Sequence, residues 1–176
     1  MDGALGLRHD DNALVPYDPG WAEAFELEKR RLAPALDGIA LAIEHYGSTA
    51  VPGLPAKPIL DILIGVQPFE RWTECHDPLL ALGYDYAEHA GVPGHHIFGR
   101  GRDRTERTHL VHVVEFGGES WQSNLAFRDA LRADPDLRAR YRAIKMEALA
   151  CAPRGRAAYN ALKGPAIARL KAELRG

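Results

Sequence analysis

His45–Val66 reads HYGSTAVPGLPAKPILDILIGV. From Ile59 to Val66 every residue except Asp61 and Gly65 is β-branched or leucine, so the run predicts a strand covered on both faces. Asp61 interrupts it. An ionised carboxylate is rarely buried without a partner, which puts Asp61 at a strand end facing a pocket, a cation or a buried Arg or Lys. On its own the residue leaves a structural ion pair and a site equally open. Upstream, Ile39, Leu41, Ile43 and His45 alternate with Ala40, Ala42 and Glu44, so the chain enters the intervening turn as a strand. Gly47 allows a positive φ or a close backbone approach, and Ser48 and Thr49 are residues that cap a short helix and aim its amides at an anion. Lys57 adds a cation to the same connection. Strand, small polar turn and helix start together form a phosphate cradle, although a Gly-Ser pair alone is more often an ordinary turn.

Gly47-Ser48, twelve intervening residues and Asp61-Ile62 resemble the signature of the nucleotidyltransferase superfamily. The longer stretch EHYGSTAVPGLPAKPILDILIGV, preceded by VPYDPGWAEAFE and followed by THLVHVVEF and LAFRDALRADPDLRARYRAIK, is similar to the GrpB family of bacterial nucleotidyltransferase-like proteins, from about Val15 to Lys163. In some members a similar domain is appended to dephospho-coenzyme A kinase. The resemblance implies an α+β fold with a mixed sheet of about five strands flanked by helices and a helical C-terminal third. It implies a nucleotide or phosphorylated small molecule as partner and Mg²⁺ as cofactor. Gly47, Ser48 and Lys57 would hold phosphates, Asp61 would hold the metal, and His112 would complete the shell or act as a base.

One residue departs from the superfamily pattern. Two acids two apart on one strand point to one face and share divalent metals, but the second position here is Leu63. A lone Asp61 does not hold two Mg²⁺ ions. A further group has to come from the THLVHVVEF segment, where His112 and Glu115 are three apart and face opposite sides of a straight strand. Three functions therefore stand side by side: nucleotidyl transfer, a catalytically inactive ligand- or protein-binding module that keeps the fold, and a phosphohydrolase with a transition metal on Asp61, His112 and His45. Restoring an acid at Leu63 would discriminate the first two.

The remaining chain bounds these readings. In 176 residues there are 22 Lys and Arg against 24 Asp and Glu, a length suited to one domain, residues 15–176 after a frayed lead-in over 1–14. This balance carries no polyelectrolyte signature, so neither nucleic acid nor an anionic membrane is expected as a bulk partner. Cys75 and Cys151 share no metal spacing and are expected to stay reduced. No apolar run approaches the roughly 20 residues that span a bilayer, and the expected location is cytoplasmic. A homo-oligomer is compatible with the sequence.

Asp18-Pro19 predicts a helix to Leu36, with Trp21, Phe25, Leu32 and Leu36 as its core stripe and Glu26, Glu28, Lys29, Arg30 and Arg31 on the surface. A helix over Phe69–Leu82 and strands over Tyr84–Glu88 and His95–Arg100 follow. The arginine-rich segment from Arg100 to Arg107 reads as a solvated hairpin tip, the alternative being that Arg100 or Arg102 closes over a phosphate. Helices are predicted over Trp121–Arg132, Pro135–Ala150, Gly155–Lys163 and Pro165–Leu174. Arg128, Lys145 and Lys163 match basic positions in the family resemblance; for Lys145 the neighbouring Glu147 favours surface pairing. Of His89, His95, His96, His109 and His112, no spacing marks a metal site, and only His112 is retained as a candidate.

Overall fold

Period-two alternation gives the central strand two faces that need cover, and the order of elements supplies a different cover for each. Residues 4–176 are described in a computed structural model of the chain. A mixed five-stranded sheet is formed by β2 (Ala42–Tyr46), β3 (Leu60–Val66), β7 (His109–Glu115), β5 (His96–Arg100) and β4 (Asp85–Tyr86), in that spatial order. β3 and β7 run parallel and the other neighbours antiparallel. The fold is α+β, with α1 (Gly20–Ala35) and α2 (Trp72–Ala81) before the C-terminal helices α3 (Glu119–Ala133), α4 (Pro135–Cys151) and α5 (Arg156–Glu173).

On one face Ile43, Ile62, Ile64, Val111 and Val113 pack against Trp21, Phe25, Leu32 and Leu36 of the α1 region and Cys75 and Leu79 of α2. The helix starts where expected because the Asp18 carboxylate accepts the Gly20 amide at 2.8 Å. On the other face, Tyr46, Leu63, Val114 and Trp121 form a separate apolar cluster under α3. Asp61 stands opposite Tyr46 on β2, and Leu63 opposite His112 on β7. Cross-strand partners share a face, so Tyr46, Asp61, Leu63 and His112 all look toward the C-terminal helices. His45 alternates to the other side.

Four local expectations need correction. Residues 1–14 do not fray where they are described: β1 (Leu7–Arg8) pairs antiparallel with β6 (Glu106–Arg107), and Asn12 is fully buried. Glu28 is buried in the core stripe, at i+3 from Phe25 and i−4 from Leu32. It is held there by the Tyr84 hydroxyl at 2.7 Å, Arg100 at 2.7 Å and Arg31 at 2.8 Å. In the arginine-rich segment the tip itself, residues 102–105, is exposed as expected, but its two ends are not free: Arg100 serves Glu28, and Arg107 is buried against Asp85 at 2.7 Å. Finally, α5 continues through Gly164 and Pro165 as one helix. Arg156, Tyr159, Lys163, Ile167 and Leu170 then recur along one side, and the packing of that side against α4 outweighs the hydrogen bond that a proline removes.

Candidate functional site

Gly47 sits at φ +73°, a conformation glycine adopts without a side-chain clash. It also approaches the carboxylate: a Cβ added there would lie 2.6 Å from Asp61 Oδ2. The turn is thus moulded on Asp61. Ser48–Ala50 forms one turn of 3₁₀ helix with no side-chain cap. Instead of capping, Thr49 Oγ1 bonds the buried His45 Nε2 at 2.9 Å, and Ser48 Oγ lies 3.4 Å from the Tyr141 hydroxyl of α4.

Two adjoining compartments of about 250 and 210 Å³ share Tyr46, Ser48, Asp61 and Lys163. The first is also lined by Lys57, His112, Lys145, Arg156 and Tyr159. The second is lined by Phe127, Leu131, Tyr141 and Ile167, with Arg128 and Lys171 at its polar edge. Asp61 keeps about a third of its side chain exposed. It faces this hollow and is not clasped by an internal arginine.

The first compartment is strongly cationic. Lys57 donates to Asn12 Oδ1 at 2.8 Å, and its Nζ lies 4.1 Å from the Tyr159 ring centroid. Lys163 covers the same ring at 4.9 Å. Lys145 is buried and donates to the Pro55 carbonyl at 2.6 Å. Burial holds Lys57 and Lys145 down at about 7; the Lys163 charge adds to both shifts and Asp61 opposes them. Burial likewise lowers Lys163 and Arg156, again against the pull of Asp61. Two buried polar atoms in this lining, Arg156 Nη2 and Tyr159 OH, have no hydrogen-bond partner among the described residues.

His112 Nε2 lies 3.7 Å from Asp61 Oδ1, and its Nδ1 lies 3.2 Å from His95 Nδ1. His95 is depressed to about 4 by burial, the His112 charge and Lys171, so it is neutral beside His112 at ordinary pH. The expected residues Ser48, Lys57, Asp61 and His112 therefore line one hollow, with Gly47 at its edge. His45 and Glu115 do not join them. His45 is stacked on Phe25 at 4.8 Å across the sheet, and Glu115 points to solvent at the end of β7. Arg128 is tied to Glu44 at 2.8 Å and to the His45 carbonyl at 2.9 Å. Lys145 makes no surface pair with Glu147, because α4 turns it into the cavity.

Sequence reasoning missed Arg156, Tyr159 and the buried role of Lys145. The available signal was spacing: Arg156, Tyr159 and Lys163 fall in step with Ile167 and Leu170 on a single helical stripe.

The donor set does not fit a two-metal centre. Among the described residues Asp61 is the one carboxylate lining either compartment, and the nearby Glu44 is engaged by Arg128. Leu63 is fully buried among Tyr46, Val114 and Trp121. An acid substituted there would enter that apolar cluster, so restoring it would test packing before metal binding. Among the described residues no group of three or more His, Cys, Asp or Glu could hold a metal ion. The transition-metal set of Asp61, His112 and His45 fails on geometry, since His45 lies across the sheet.

Compared with known proteins, residues 12–173 match the family model described as GrpB protein. The chain belongs to the GrpB family. A GrpB relative, the glutamate-rich protein GrpB of Alkalihalophilus pseudofirmus, is 32% identical over 144 residues, covering 80% of this chain and 83% of that protein. The UPF0157 protein YqkA of Bacillus subtilis is 36% identical over 140 residues, 80% of this chain but 40% of that protein, so this chain spans less than half of that relative's length. The crystal structure of GrpB from Enterococcus faecalis superposes with a TM-score of 0.81 at 32% identity, covering 92% and 96% of the two chains. A structure of the Cid1 poly(U) polymerase with MgGTP bound gives a TM-score of 0.51 at 12% identity over 77% of this chain and 44% of that one. At that distance GrpB and the polymerase share a nucleotidyltransferase-like fold. Among the described residues no helix is long and apolar enough to cross a membrane.

Proposed function

We propose that this GrpB chain binds a nucleotide or another phosphorylated small molecule in the Asp61 hollow, as a binding protein that keeps the nucleotidyltransferase-like fold. The observation that carries this reading is the convergence of Lys57, Lys145, Lys163 and Arg156 on one compartment that holds a single carboxylate. Desolvated cations gain most from an anion with several oxygens, and an Arg fork matches phosphate geometry. The orphaned Arg156 Nη2 and Tyr159 OH leave donor capacity unused in the wall of the same compartment. The neighbouring compartment, with Phe127, Leu131 and Ile167, suits the less polar part of the same ligand.

Nucleotidyl transfer and Mg²⁺, which the family resemblance implies, are outside this reading, because Leu63 supplies no second carboxylate. Asp61 and His112 face the ligand from the sheet, and Gly47, Ser48 and Lys57 form its phosphate-facing rim. Calorimetric titration with ATP, GTP, CTP and UTP, each with and without Mg²⁺, tests the proposal. At least one should bind, and Arg156→Gln should weaken it at least tenfold, as expected for removing one buried charge partner. No heat with any of the four would sink the reading. Release of pyrophosphate in the same mixtures would replace it with the transferase reading.

A further inference from the structure

Charge balance in the first compartment goes further than the presence of a phosphate site, and it rests on the reading above. Four cationic side chains, Lys57, Lys145, Lys163 and Arg156, share about 250 Å³ with one carboxylate, Asp61. A divalent metal entering with a phosphate would meet a single anionic ligand and several fixed positive charges. Mg²⁺ demands near-octahedral oxygen coordination, and the strand position that could add an oxygen ligand is occupied by Leu63, sealed under Trp121. An uncomplexed di- or triphosphate meets the opposite situation. Its several negative charges would neutralise the lysines and Arg156 that line the compartment.

We infer that the pocket takes a di- or triphosphate group in its metal-free form, with Lys57, Lys145, Lys163 and Arg156 in the place of bridging divalent cations. Asp61 is then a repulsive neighbour of the phosphates. It sets the spacing of the four cations around itself and rejects ligands that lack enough negative charge to hold them, a monophosphate being the weaker ligand. The Gly47 turn packed on Asp61 keeps that carboxylate from swinging away.

The sign of one substitution separates this inference from metal-bridged binding. Inorganic tripolyphosphate and ATP are titrated into the full chain at pH 6.5, once in EDTA and once in excess Mg²⁺, with parent protein and Asp61→Asn. The inference expects binding in EDTA, weakening by at least severalfold when Mg²⁺ complexes the ligand, and at least tenfold tighter binding in EDTA for Asp61→Asn. Lys163→Gln, at a half-buried position that tolerates an uncharged side chain, should lose at least tenfold in EDTA. Binding that requires Mg²⁺ and disappears in Asp61→Asn overturns the inference while leaving the phosphate site standing. Silence in both buffers with both probes overturns the site and the inference together. Circular dichroism and urea midpoints for the two variants establish that each is folded.

Discussion

At Gly47 a single hydrogen in place of a methyl group decides whether the turn can close on Asp61. The residue combines φ +73° with a Cβ position 2.6 Å from Asp61 Oδ2 and 3.0 Å from its Cβ. Gly47→Ala should therefore cost on the order of 1–3 kcal/mol for the left-handed backbone and push the carboxylate into the hollow. Urea unfolding would show the lower midpoint, and the tripolyphosphate titration a weaker site; a variant as stable as the parent with unchanged affinity would contradict this account. Asp61 and Gly47 were legible in the sequence because each breaks a local pattern, an acid in an aliphatic run and a glycine between strand and loop. Glu28 was legible in principle, since it keeps helical step with Phe25 and Leu32, but its charge argued for solvent. What overrode the charge was tertiary: Tyr84, Arg31 and Arg100 come from elsewhere in the chain or the helix edge to satisfy both oxygens. Lys145 misled in the same way. Glu147 two residues on suggested surface pairing, yet residues two apart do not face each other on a helix.

At the scale of elements, the site is an assembly of pieces distant in sequence, and Asn12 is where three of them meet. Its Nδ2 donates to the Ala152 carbonyl at 3.0 Å and the Gly155 carbonyl at 3.2 Å, across the turn between α4 and α5, while its Oδ1 accepts from Lys57 at 2.8 Å. The Gly155 amide adds a bond to the Asp10 carbonyl at 3.0 Å. The N-terminal segment thus fixes the start of the helix that carries Arg156, Tyr159 and Lys163, and it aims Lys57 at the same time. Asn12→Ala removes three hydrogen bonds, one of them to the buried Ala152 carbonyl, and should cost about 1–3 kcal/mol, read as a fall in urea midpoint. Because Lys57 loses its anchor, phosphate affinity should fall as well; unchanged affinity in a destabilised variant would show that Asn12 serves stability alone. The main strands and the helices before α5 could be read from periodicity, whereas the order of the strands in the sheet could not. Nor could the continuity of α5, because Gly164-Pro165 reads as a stop and only the finished packing of Tyr159 and Leu170 shows why the helix goes on.

Across the whole molecule, the burial of so many basic groups ties stability and binding to pH with opposite signs. Lys57 and Lys145 have an ordinary value of 10.5 and are held at about 7 in the folded chain, chiefly by burial. Between about pH 7 and 10 the unfolded chain holds protons that the folded one has released, so stability of the free protein should rise with pH through that window; below 7 the cost of the buried charges is fully present. A bound polyphosphate favours the charged lysines, so its affinity should be greatest below about pH 7 and fall as pH rises. Its stabilising effect should shrink in parallel. On the acid side, His45, His95 and His109 are depressed from 6.5 to about 4, first of all by burial. The unfolded chain takes up those protons first, so stability should fall as pH drops from about 6.5 toward 4. Urea midpoints measured from pH 4.5 to 9.5, with and without tripolyphosphate, should give a free-protein curve that climbs toward alkaline pH and a ligand increment that is largest near pH 6 to 7. A free-protein curve flat above pH 7 would mean that the lysines keep their protons in the folded state and that the hollow is wetter than its lining implies. An increment that grows with pH would mean that the anion is held by groups other than these lysines.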